Sequence, residues 1–590
     1  MDMVSAIEAA EKYVSDEHEL TFAAEVSRLI AERSPELADR FYQPLSFGTG
    51  GLRGKIGGGT NRMNPLVVAR TTQAIGEYLQ NFYSILRVKI AICYDYRRHS
   101  RYFSKLASFV LARMGIEVFL FSFARPTPML SFAVREKECH AGIMITASHN
   151  PPEYNGYKVY WSDGAQIVSP HDSNIENIIT SLHGPIFKKS EVSLNLDYLY
   201  NEVARYHRSG LISYSDDSLD KQFLESVLSQ RRHKDLSLSE VSIAYTPLHG
   251  VGITVIDDLA KQLNIVLAVE PLQGIPDGEF SHTKSPNPED PVSLDRVTAL
   301  CKEKSCDVLV ATDPDADRLG TGVRNDDTII LIDGNQLGAL MIDYLLAQSS
   351  PKEQPYVVVN TIVTSDLQSS IINFYSAQQI QTLTGFKHIA EVLRALKKKN
   401  ELDRFLMGTE ESYGFLIGTH SWDKDAITAI AVFSEMVAYY ASRGCTLIDR
   451  LHELYKQHGY FLERTISFVH EGSEGLESIK NNMQMIRSTT RKMIGTYPVT
   501  RCIDYLKRSI THRDGRVEQF EDTPASNVLK WYLDGFGWLC IRPSGTEPKI
   551  KLYFSYLDKD CVDVAASQKK AIQAIEEFKP IVLKDLSIHA

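Results

Sequence analysis

The stretch AGIMITASHNPP, residues 141–152, places the tightest limit on how this chain can fold. Its apolar first half predicts a buried strand, and the Asn-Pro-Pro ending stops that strand because proline lacks the amide donor and moves its predecessor away from the helical region. Ser148 is therefore predicted on an exposed turn. Ligands of open parallel sheets bind beyond the carboxyl ends of the strands, so Ser148 and the adjacent His149 are placed for chemistry. The alternative is a turn serine that hydrogen-bonds to its own backbone.

A lysine follows the serine within a few residues. The pair Asn155-Gly156 favours a tight turn, and such a turn would bring Lys158 back toward Ser148. A hydroxyl, an imidazole and an amine would then share one small space.

Three aspartates alternate directly after another apolar run, in the segment DPDADR. In an extended segment alternate side chains face one side, so Asp313, Asp315 and Asp317 are predicted to converge. Three oxygen ligands suit a hard cation, and we expect Mg²⁺. A calcium loop would need glycine at its sixth position and glutamate at its twelfth, where this chain has Arg318 and Arg324. A solvated acidic turn is the remaining alternative.

Two loops with an arginine are suited to a phosphate group. The glycine-rich loop 47–59 lets the backbone approach a ligand closely, and Arg53 within it offers a planar fork of donors. The loop RPSGTEPK, residues 542–549, combines a guanidinium, two hydroxyls and free amides, which is typical of an anion-binding nest. An ordinary hairpin with a surface arginine is the alternative for the second loop.

These motifs, in this order and over nearly the whole chain, resemble the alpha-D-phosphohexomutase family. The resemblance implies that Ser148 carries a phosphoryl group and completes the metal ligands with the three aspartates. It implies that Arg53 and Arg318 stabilise the transferring group. Lys158 and His149 become the candidates for general base and acid, with Lys158 favoured because a partly buried amine titrates readily.

The resemblance also implies a set of substrate-binding residues. The segment TGFK, residues 384–387, is similar to the loop of glucose-type members, and TEESYG, residues 409–414, is similar to the sugar-hydroxyl motif. Without the resemblance, paired glutamates would more often be a solvated surface. Gly408 and Thr409 depart from the aromatic residue expected before the glutamates. The implied set is Thr384, Gly385, Lys387, Glu410, Ser412, Arg542, Ser544, Gly545, Thr546 and Lys549.

Repeated strand and helix patterns predict an α/β protein. Three similar α/β domains in succession suggest duplication, although no residue-level repeat is visible. Together with the resemblance, they indicate mixed sheets and a smaller C-terminal α+β domain around a central cleft. The predicted domains are 1–218 with the phosphoserine, 219–331 with the metal, 332–452 with the sugar site and 453–590 with the phosphate site.

Composition excludes several classes of function. The 590 residues are 43% hydrophobic and 23% charged, with a net charge of −10, which gives no reason to expect nucleic acid as a partner. The cysteines form no C-x-x-C pair, so we expect neither a disulfide framework nor structural zinc, and a reducing cytoplasm fits. No signal peptide is expected, and the longest apolar stretch, 426–441, is too short for a membrane span. The oligomeric state stays open.

The resemblance implies a mutase that interconverts glucose 1-phosphate and glucose 6-phosphate. The phosphoserine and a bisphosphorylated sugar would be intermediates, with Mg²⁺ and glucose 1,6-bisphosphate as cofactors. The alternatives within the family are a phosphopentomutase acting on ribose or deoxyribose 1-phosphate and a glucose-1,6-bisphosphate synthase. A net phosphatase and a non-catalytic sugar-phosphate binding protein are the more distant alternatives.

Overall fold

The structure is a computed structural model that describes residues 1–48, 50–84, 87–184, 186–187, 192, 194–469, 472–521, 523–543 and 549–586. The chain divides into two compact units. The first comprises Met1–Asp333, Ala390–Leu402 and Ser412–Ala438, and the second comprises Gly334–Ile389, Asp403–Glu411 and Tyr439–Ala590.

The described α-helices, in chain order, are α1 (Met3–Asp16), α2 (Leu20–Ala31), α3 (Glu36–Phe41), α4 (Pro65–Tyr83), α5 (Ser100–Arg113), α6 (Thr127–Glu136), α7 (His171–Ser181), α8 (Leu196–Arg208), α9 (Asp217–Leu228), α10 (Ile253–Leu263), α11 (Asp295–Glu303), α12 (Gly334–Ala347), α13 (Asp366–Phe374), α14 (Phe386–Lys398), α15 (Ala426–Ala441), α16 (Leu447–His458), α17 (Gly472–Ser488) and α18 (Val564–Asp585).

The described strands are β1 (Gly51–Lys55), β2 (Lys89–Tyr94), β3 (Glu117–Leu120), β4 (Ala141–Ile145), β5 (Tyr154–Trp161), β6 (Ile212–Tyr214), β7 (Ser242–Thr246), β8 (Val266–Val269), β9 (Val308–Thr312), β10 (Leu319–Asn325), β11 (Thr328–Ile332), β12 (Val357–Thr361), β13 (Gln378–Thr382), β14 (Phe405–Glu410), β15 (Gly414–Ile417), β16 (Tyr460–Val469), β17 (Met493–Ile494), β18 (Tyr497–Asp504), β19 (Ser509–His512), β20 (Val517–Gln519), β21 (Leu529–Leu533), β22 (Gly537–Pro543) and β23 (Lys549–Asp558).

The first sheet has the strand order β1-β5-β4-β2-β3-β6. Strands β4, β2, β3 and β6 run parallel, and β5 and β1 are antiparallel to their neighbours. All five residues of β4 are buried, as the uninterrupted apolar run predicts. The parallel strands end at the same edge, so the loops that follow β2, β3 and β4 lie beside one another there.

The predicted tight turn at Asn155-Gly156 is wrong, because both residues lie inside β5. The chain reverses earlier, where the N–H of Tyr154 donates to the carbonyl of Pro151 at 3.1 Å. A Cβ atom on Gly156 would come within 2.5 Å of the Thr146 carbonyl oxygen, so this glycine permits close strand packing rather than a turn.

The second sheet has the order β11-β10-β9-β7-β8, in which β9, β7 and β8 run parallel. Strands β10 and β11 pair in antiparallel fashion, so this sheet is also mixed. Strand β9 is wholly buried and ends immediately before Asp313. The predicted strand before the acidic triplet is therefore confirmed.

The second unit contains the third α/β set and the C-terminal sheet. Strand β12 lies between β13 and β14, and all three are parallel. The C-terminal sheet is antiparallel, in the order β16-β23-β22-β21-β18-β19-β20, with β17 paired to β18. One hydrophobic core joins Ile362 and Leu383 of the α/β set to Trp538 and Tyr553 of this sheet. Shared burial of this kind explains why these elements form one unit.

The predicted fold class, three α/β domains with mixed sheets plus a smaller C-terminal α+β domain, is confirmed. The central cleft and the boundaries at 218, 331 and 452 stay predictions. Among the described residues, no helix has the length and apolarity needed to cross a membrane.

Candidate active site

Ser148 lies in the loop after β4 with its backbone in the left-handed region, at a φ of +52°. Its N–H donates to Thr146 Oγ1 at 2.8 Å, which stabilises this turn. The serine is 3% exposed, so the predicted exposure is wrong: the loop that follows β9 covers the hydroxyl. A non-glycine residue held at positive φ is uncommon, and backbone strain of this kind concentrates at functional sites.

Arg97 holds the serine loop in place, and the sequence analysis did not identify it. Its guanidinium is buried and donates to the carbonyls of Ser148, Asn150, Pro151 and Tyr154. Asp95 lies 3.4 Å from it and supplies the opposite charge. The sequence feature that could have identified Arg97 is the charged segment directly after β2, at the edge of the sheet where the serine loop also lies.

The three aspartates converge, but they do so in a turn rather than an extended segment. Ala316 has a φ of +53°, and its N–H donates to the Asp313 carbonyl at 2.9 Å. One oxygen from each of Asp313, Asp315 and Asp317 lies within 4.8 Å of the others, and all three residues are buried. The alternative of a solvated acidic turn is therefore excluded.

The serine hydroxyl belongs to this cluster. Ser148 Oγ donates to Asp313 Oδ2 at 2.7 Å. Burial, with repulsion from Asp315 and Asp317, raises the pKa of Asp313 well above its usual range. Such mutual repulsion in a dry site favours the entry of a cation.

The donor set fits a hard divalent cation. Asp315 Oδ1 and Asp317 Oδ1 are buried and have no hydrogen-bond partner in the described part of the chain. An unpaired carboxylate oxygen is costly to bury, and a metal ion would satisfy both oxygens at once.

Two lysines contact the outer oxygens of the cluster. Lys158 Nζ lies 2.8 Å from Asp315 Oδ2 and 3.2 Å from Asp317 Oδ2. Burial disfavours its charge, but the two carboxylates outweigh burial and raise the pKa of Lys158 above its usual value. This shift favours the ammonium form of Lys158, and its role as an acid or base stays a prediction. Lys424, which the sequence analysis missed, lies 3.3 Å from Asp317 Oδ2; its signal was the buried charged segment 423–425 before the apolar helix α15.

The other predicted catalytic side chains lie around the serine loop. His149 Nδ1 is 3.2 Å from Ser148 Oγ, and burial together with Arg318 and Arg53 holds the pKa of His149 well below its usual value. Arg53 is exposed on β1 and donates to Asn150 Oδ1 at 3.2 Å. Arg318 pairs with Glu289 and donates to the Ser412 carbonyl at 3.0 Å. The sequence-predicted serine, metal and arginine residues are thus brought together within the first unit.

The remaining predicted residues, apart from Ser412, belong to the second unit. Glu410 is 7% exposed, so the solvated-surface alternative is excluded for it, and its Oε1 accepts the N–H of Gly385 at 2.6 Å. Thr384 precedes Gly385 in the loop after β13, Lys387 lies in the first turn of α14, and both are half-buried. Arg542 lies near the end of β22 and contacts the Tyr553 hydroxyl at 3.4 Å, while Lys549 begins β23. Ser544, Gly545 and Thr546 lie outside the described residues.

Three family models match the chain. They describe the phosphoglucomutase/phosphomannomutase alpha/beta/alpha domains I, II and III, and they match residues 44–184, 221–326 and 333–458.

Curated relatives match over a longer span. A phosphoglucomutase of Staphylococcus epidermidis is 34% identical over 539 residues, which covers 91% of this chain and 95% of the relative. A phosphoglucomutase of Staphylococcus aureus strain MRSA252 is 34% identical over 532 residues, covering 90% and 93%.

Two solved structures share the fold at low identity. A putative phosphomannomutase from Thermus thermophilus superposes with a TM-score of 0.65 at 20% identity, covering 90% of this chain and 99% of that one. Parafusin, a phosphoglucomutase from Paramecium in its open form, gives 0.64 at 17% identity, covering 92% and 95%. The domain models and the curated relatives show that this chain belongs to the alpha-D-phosphohexomutase family and is a phosphosugar mutase.

Proposed function

We propose that this enzyme interconverts glucose 1-phosphate and glucose 6-phosphate, with Ser148 carrying the phosphoryl group between the two ends of the sugar. The observation that carries the proposal is the strained, buried Ser148 whose hydroxyl meets Asp313 at 2.7 Å, inside a cluster in which two carboxylate oxygens have no hydrogen-bond partner among the described residues. The 34% identity to curated phosphoglucomutases supports the choice of glucose.

Mg²⁺ is the proposed ion, held by Asp313, Asp315, Asp317 and the oxygen of Ser148. When bound, it supplies positive charge that stabilises the phosphoryl oxygens during transfer.

The chain's own residues supply the remaining stabilisation and the proton movements. In the first transfer the phosphorus–oxygen bond to Ser148 breaks as a bond to a sugar hydroxyl forms, and Arg53 and Arg318 stabilise the phosphoryl charge. We assign the Lys158 ammonium as the proton donor to the leaving serine oxygen and the neutral His149 as the acceptor of the hydroxyl proton. The second transfer returns both protons, so each cycle restores the starting charges.

The product of the first transfer is a sugar bisphosphate. This intermediate reorients in the site and then returns its other phosphate to Ser148. Free glucose 1,6-bisphosphate is accordingly proposed as the activator that phosphorylates unmodified enzyme. The sugar hydroxyls are assigned to Glu410, Ser412 and the loop 384–387, and the non-transferring phosphate to the loop 542–549. Glu410 supports this assignment because the N–H of Gly385 fixes one of its oxygens, which orients the carboxylate.

The domain assignment and the cellular location follow the same proposal. Residues 1–218 would carry the phosphoserine, 219–331 the metal, 332–452 the sugar site and 453–590 the phosphate site. The eight cysteines are all free thiols, which supports a cytoplasmic enzyme.

The test is a comparison of kcat/KM for glucose 1-phosphate and ribose 1-phosphate, with catalytic glucose 1,6-bisphosphate and Mg²⁺ present. We expect glucose 1-phosphate to be preferred by about 10- to 200-fold, the range that a difference of one carbon allows. A higher value for ribose 1-phosphate would make the enzyme a phosphopentomutase. Stoichiometric accumulation of bisphosphate or free phosphate would instead make it a synthase or a phosphatase.

A further inference from the structure

Thr127 contacts the acidic cluster twice, and both contacts are with Asp315. Its main-chain N–H donates to the Asp315 carbonyl at 2.9 Å, and its hydroxyl donates to Asp315 Oδ2 at 2.8 Å. Both residues are fully buried. The first contact fixes the position of the aspartate main chain, and the second fixes the rotation of its carboxylate.

Asp315 and Asp317 each have one oxygen held by protein donors, whereas both oxygens of Asp313 accept hydrogen bonds. Asp315 Oδ2 accepts from Thr127 and Lys158, and Asp317 Oδ2 faces Lys158 and Lys424. Asp313 Oδ1 accepts two main-chain N–H groups, from Asp317 and Arg318, each at 3.0 Å. The other oxygens of Asp315 and Asp317 have no hydrogen-bond partner among the described residues, and Asp317 Oδ1 lies 4.0 Å from Arg318 Nε. Asp315 and Asp317 thus each present one oxygen without a hydrogen bond, and Asp313 presents Oδ2, which accepts the Ser148 hydroxyl.

We propose that Thr127 determines the metal selectivity of this site. By holding Oδ2 of Asp315, its hydroxyl restricts that carboxylate to a single metal bond, which favours Mg²⁺ over Ca²⁺. This inference rests on the metal site of the proposed function. Mg²⁺ requires a near-octahedral set of single oxygens, whereas Ca²⁺ accepts six to eight oxygens and often two from one carboxylate.

Thr127 is a sharper test of this idea than Lys158. Removal of Lys158 would change the net charge of the cluster and alter the affinity for every cation. Thr127 is neutral, and valine has nearly its shape, so Thr127→Val removes one of the two side-chain donors to Asp315 Oδ2 and leaves the charged contact with Lys158 in place. Mutation of a residue that hydrogen-bonds to a metal ligand typically changes the metal affinity by about 10- to 100-fold.

The experiment is calorimetric titration of the full chain with MgCl₂ and with CaCl₂, in the absence of sugar phosphate. We expect Thr127→Val to weaken Mg²⁺ binding by about 10- to 100-fold and Ca²⁺ binding much less, so that the ratio of the two Kd values moves toward calcium. Thr127→Ser keeps the hydroxyl and should retain the native ratio. Thr72→Val is the matched control, because Thr72 is an equally buried threonine whose hydroxyl bonds to Val68 and Tyr157 instead.

An unchanged ratio of Kd values in Thr127→Val, or an equal loss of both ions, would overturn the selectivity role. If Thr127→Val does not fold, Thr127→Ala removes the same donor without filling its space. Absence of binding in the wild type, with Asp315→Asn giving an identical trace, would overturn the proposed metal site itself and is therefore distinguishable.

Discussion

The loop 146–150 after β4 and the loop 246–250 after β7 form the same turn with different chemistry. Ser148 and Leu248 both have positive φ, at +52° and +47°. Each donates its N–H to the threonine two residues earlier, at 2.8 Å and 3.0 Å. The two loops thus share a backbone turn and differ in the side chain that it presents: Ser148 has a hydroxyl, the proposed phosphoryl carrier, where Leu248 has an isobutyl group.

The histidines that follow show the same difference. His149 Nδ1 faces the serine hydroxyl at 3.2 Å. Both ring nitrogens of His249 are used structurally: Nδ1 meets the Ile275 carbonyl at 2.8 Å, and Nε2 accepts the N–H of His282 at 3.1 Å. The second loop is thus a natural control for the first.

The largest difference is expected between Ser148→Ala and Leu248→Ala. Loss of the proposed phosphoryl carrier should lower kcat by roughly 10⁴-fold or more, because our proposal assigns the phosphoryl group to no other residue. Leu248 is fully buried, so its truncation should cost about 2–5 kcal/mol of unfolding free energy while kcat of the folded enzyme stays near the native value. Steady-state assays and urea unfolding check the pair. A comparable loss of kcat in both variants would contradict the claim that catalysis depends on Ser148 and not on Leu248.

The next difference concerns a buried carboxylate near each loop. Asp313→Asn should lower kcat by about 10²- to 10³-fold, since several kcal/mol of charge stabilisation would depend on the ion, and should abolish the rise in Tm that we expect Mg²⁺ to give the wild type. Chelation of the wild type should reproduce this loss reversibly. Glu270→Gln is the matched control, because Glu270 is paired with Arg296 and lies outside the aspartate cluster. Full activity of the chelated wild type would contradict the account.

A smaller effect is expected where each loop is supported. Arg97→Lys removes the fork that reaches four carbonyls of the serine loop, so we expect kcat to fall by about tenfold as Ser148 loses its position. Gln273 supports the second loop through Thr246, and Gln273→Leu should reduce Tm without changing kcat. A drop in Tm alone for Arg97→Lys would show that the positioning of Ser148 does not depend on the guanidinium.

The smallest effect is expected in the pH dependence of the stability that Glu270 contributes near the second loop. Burial disfavours the charged form of Glu270, but hydrogen bonds from Arg296 and the Gln273 N–H outweigh it and lower the pKa of Glu270. Its stabilisation is therefore complete above the unfolded pKa, near 4.5, and is lost as the pH falls through the folded value. Glu270→Gln should be about 1.5–3 kcal/mol less stable than the wild type at pH 7, and the gap should close on acidification. If the difference in unfolding free energy between the wild type and Glu270→Gln instead grew as the pH falls, the pKa of Glu270 would be raised in the folded state and the prediction would be wrong.

Much of the fold could be predicted because local patterns determine it. The apolar runs before Ser148 and Asp313 appear as the buried strands β4 and β9. The common turn of loops 146–150 and 246–250 could not be predicted, because the two loops share only a threonine and a histidine and the turn is a property of the backbone.

The site was predictable in its residue types and less so in its geometry. The burial of Ser148 depends on the loop after β9, which is distant in sequence, and the raised pKa of Lys158 depends on Asp315 and Asp317. Arg97 and Thr127 were missed because each contacts the site through hydrogen bonds to residues that are distant in the sequence. Tertiary contacts of this kind have no local signature.

The central claim is that Ser148 carries the phosphoryl group, and intact-mass and peptide-mapping mass spectrometry tests it most directly. After incubation with glucose 1,6-bisphosphate, the account predicts one added phosphoryl group, located on Ser148, that is lost to glucose 1-phosphate at a rate no slower than turnover. Leu248→Ala should show the same label and Ser148→Ala none. An active enzyme that carries no phosphoryl group on Ser148, or a label there that glucose 1-phosphate does not remove, would contradict the account.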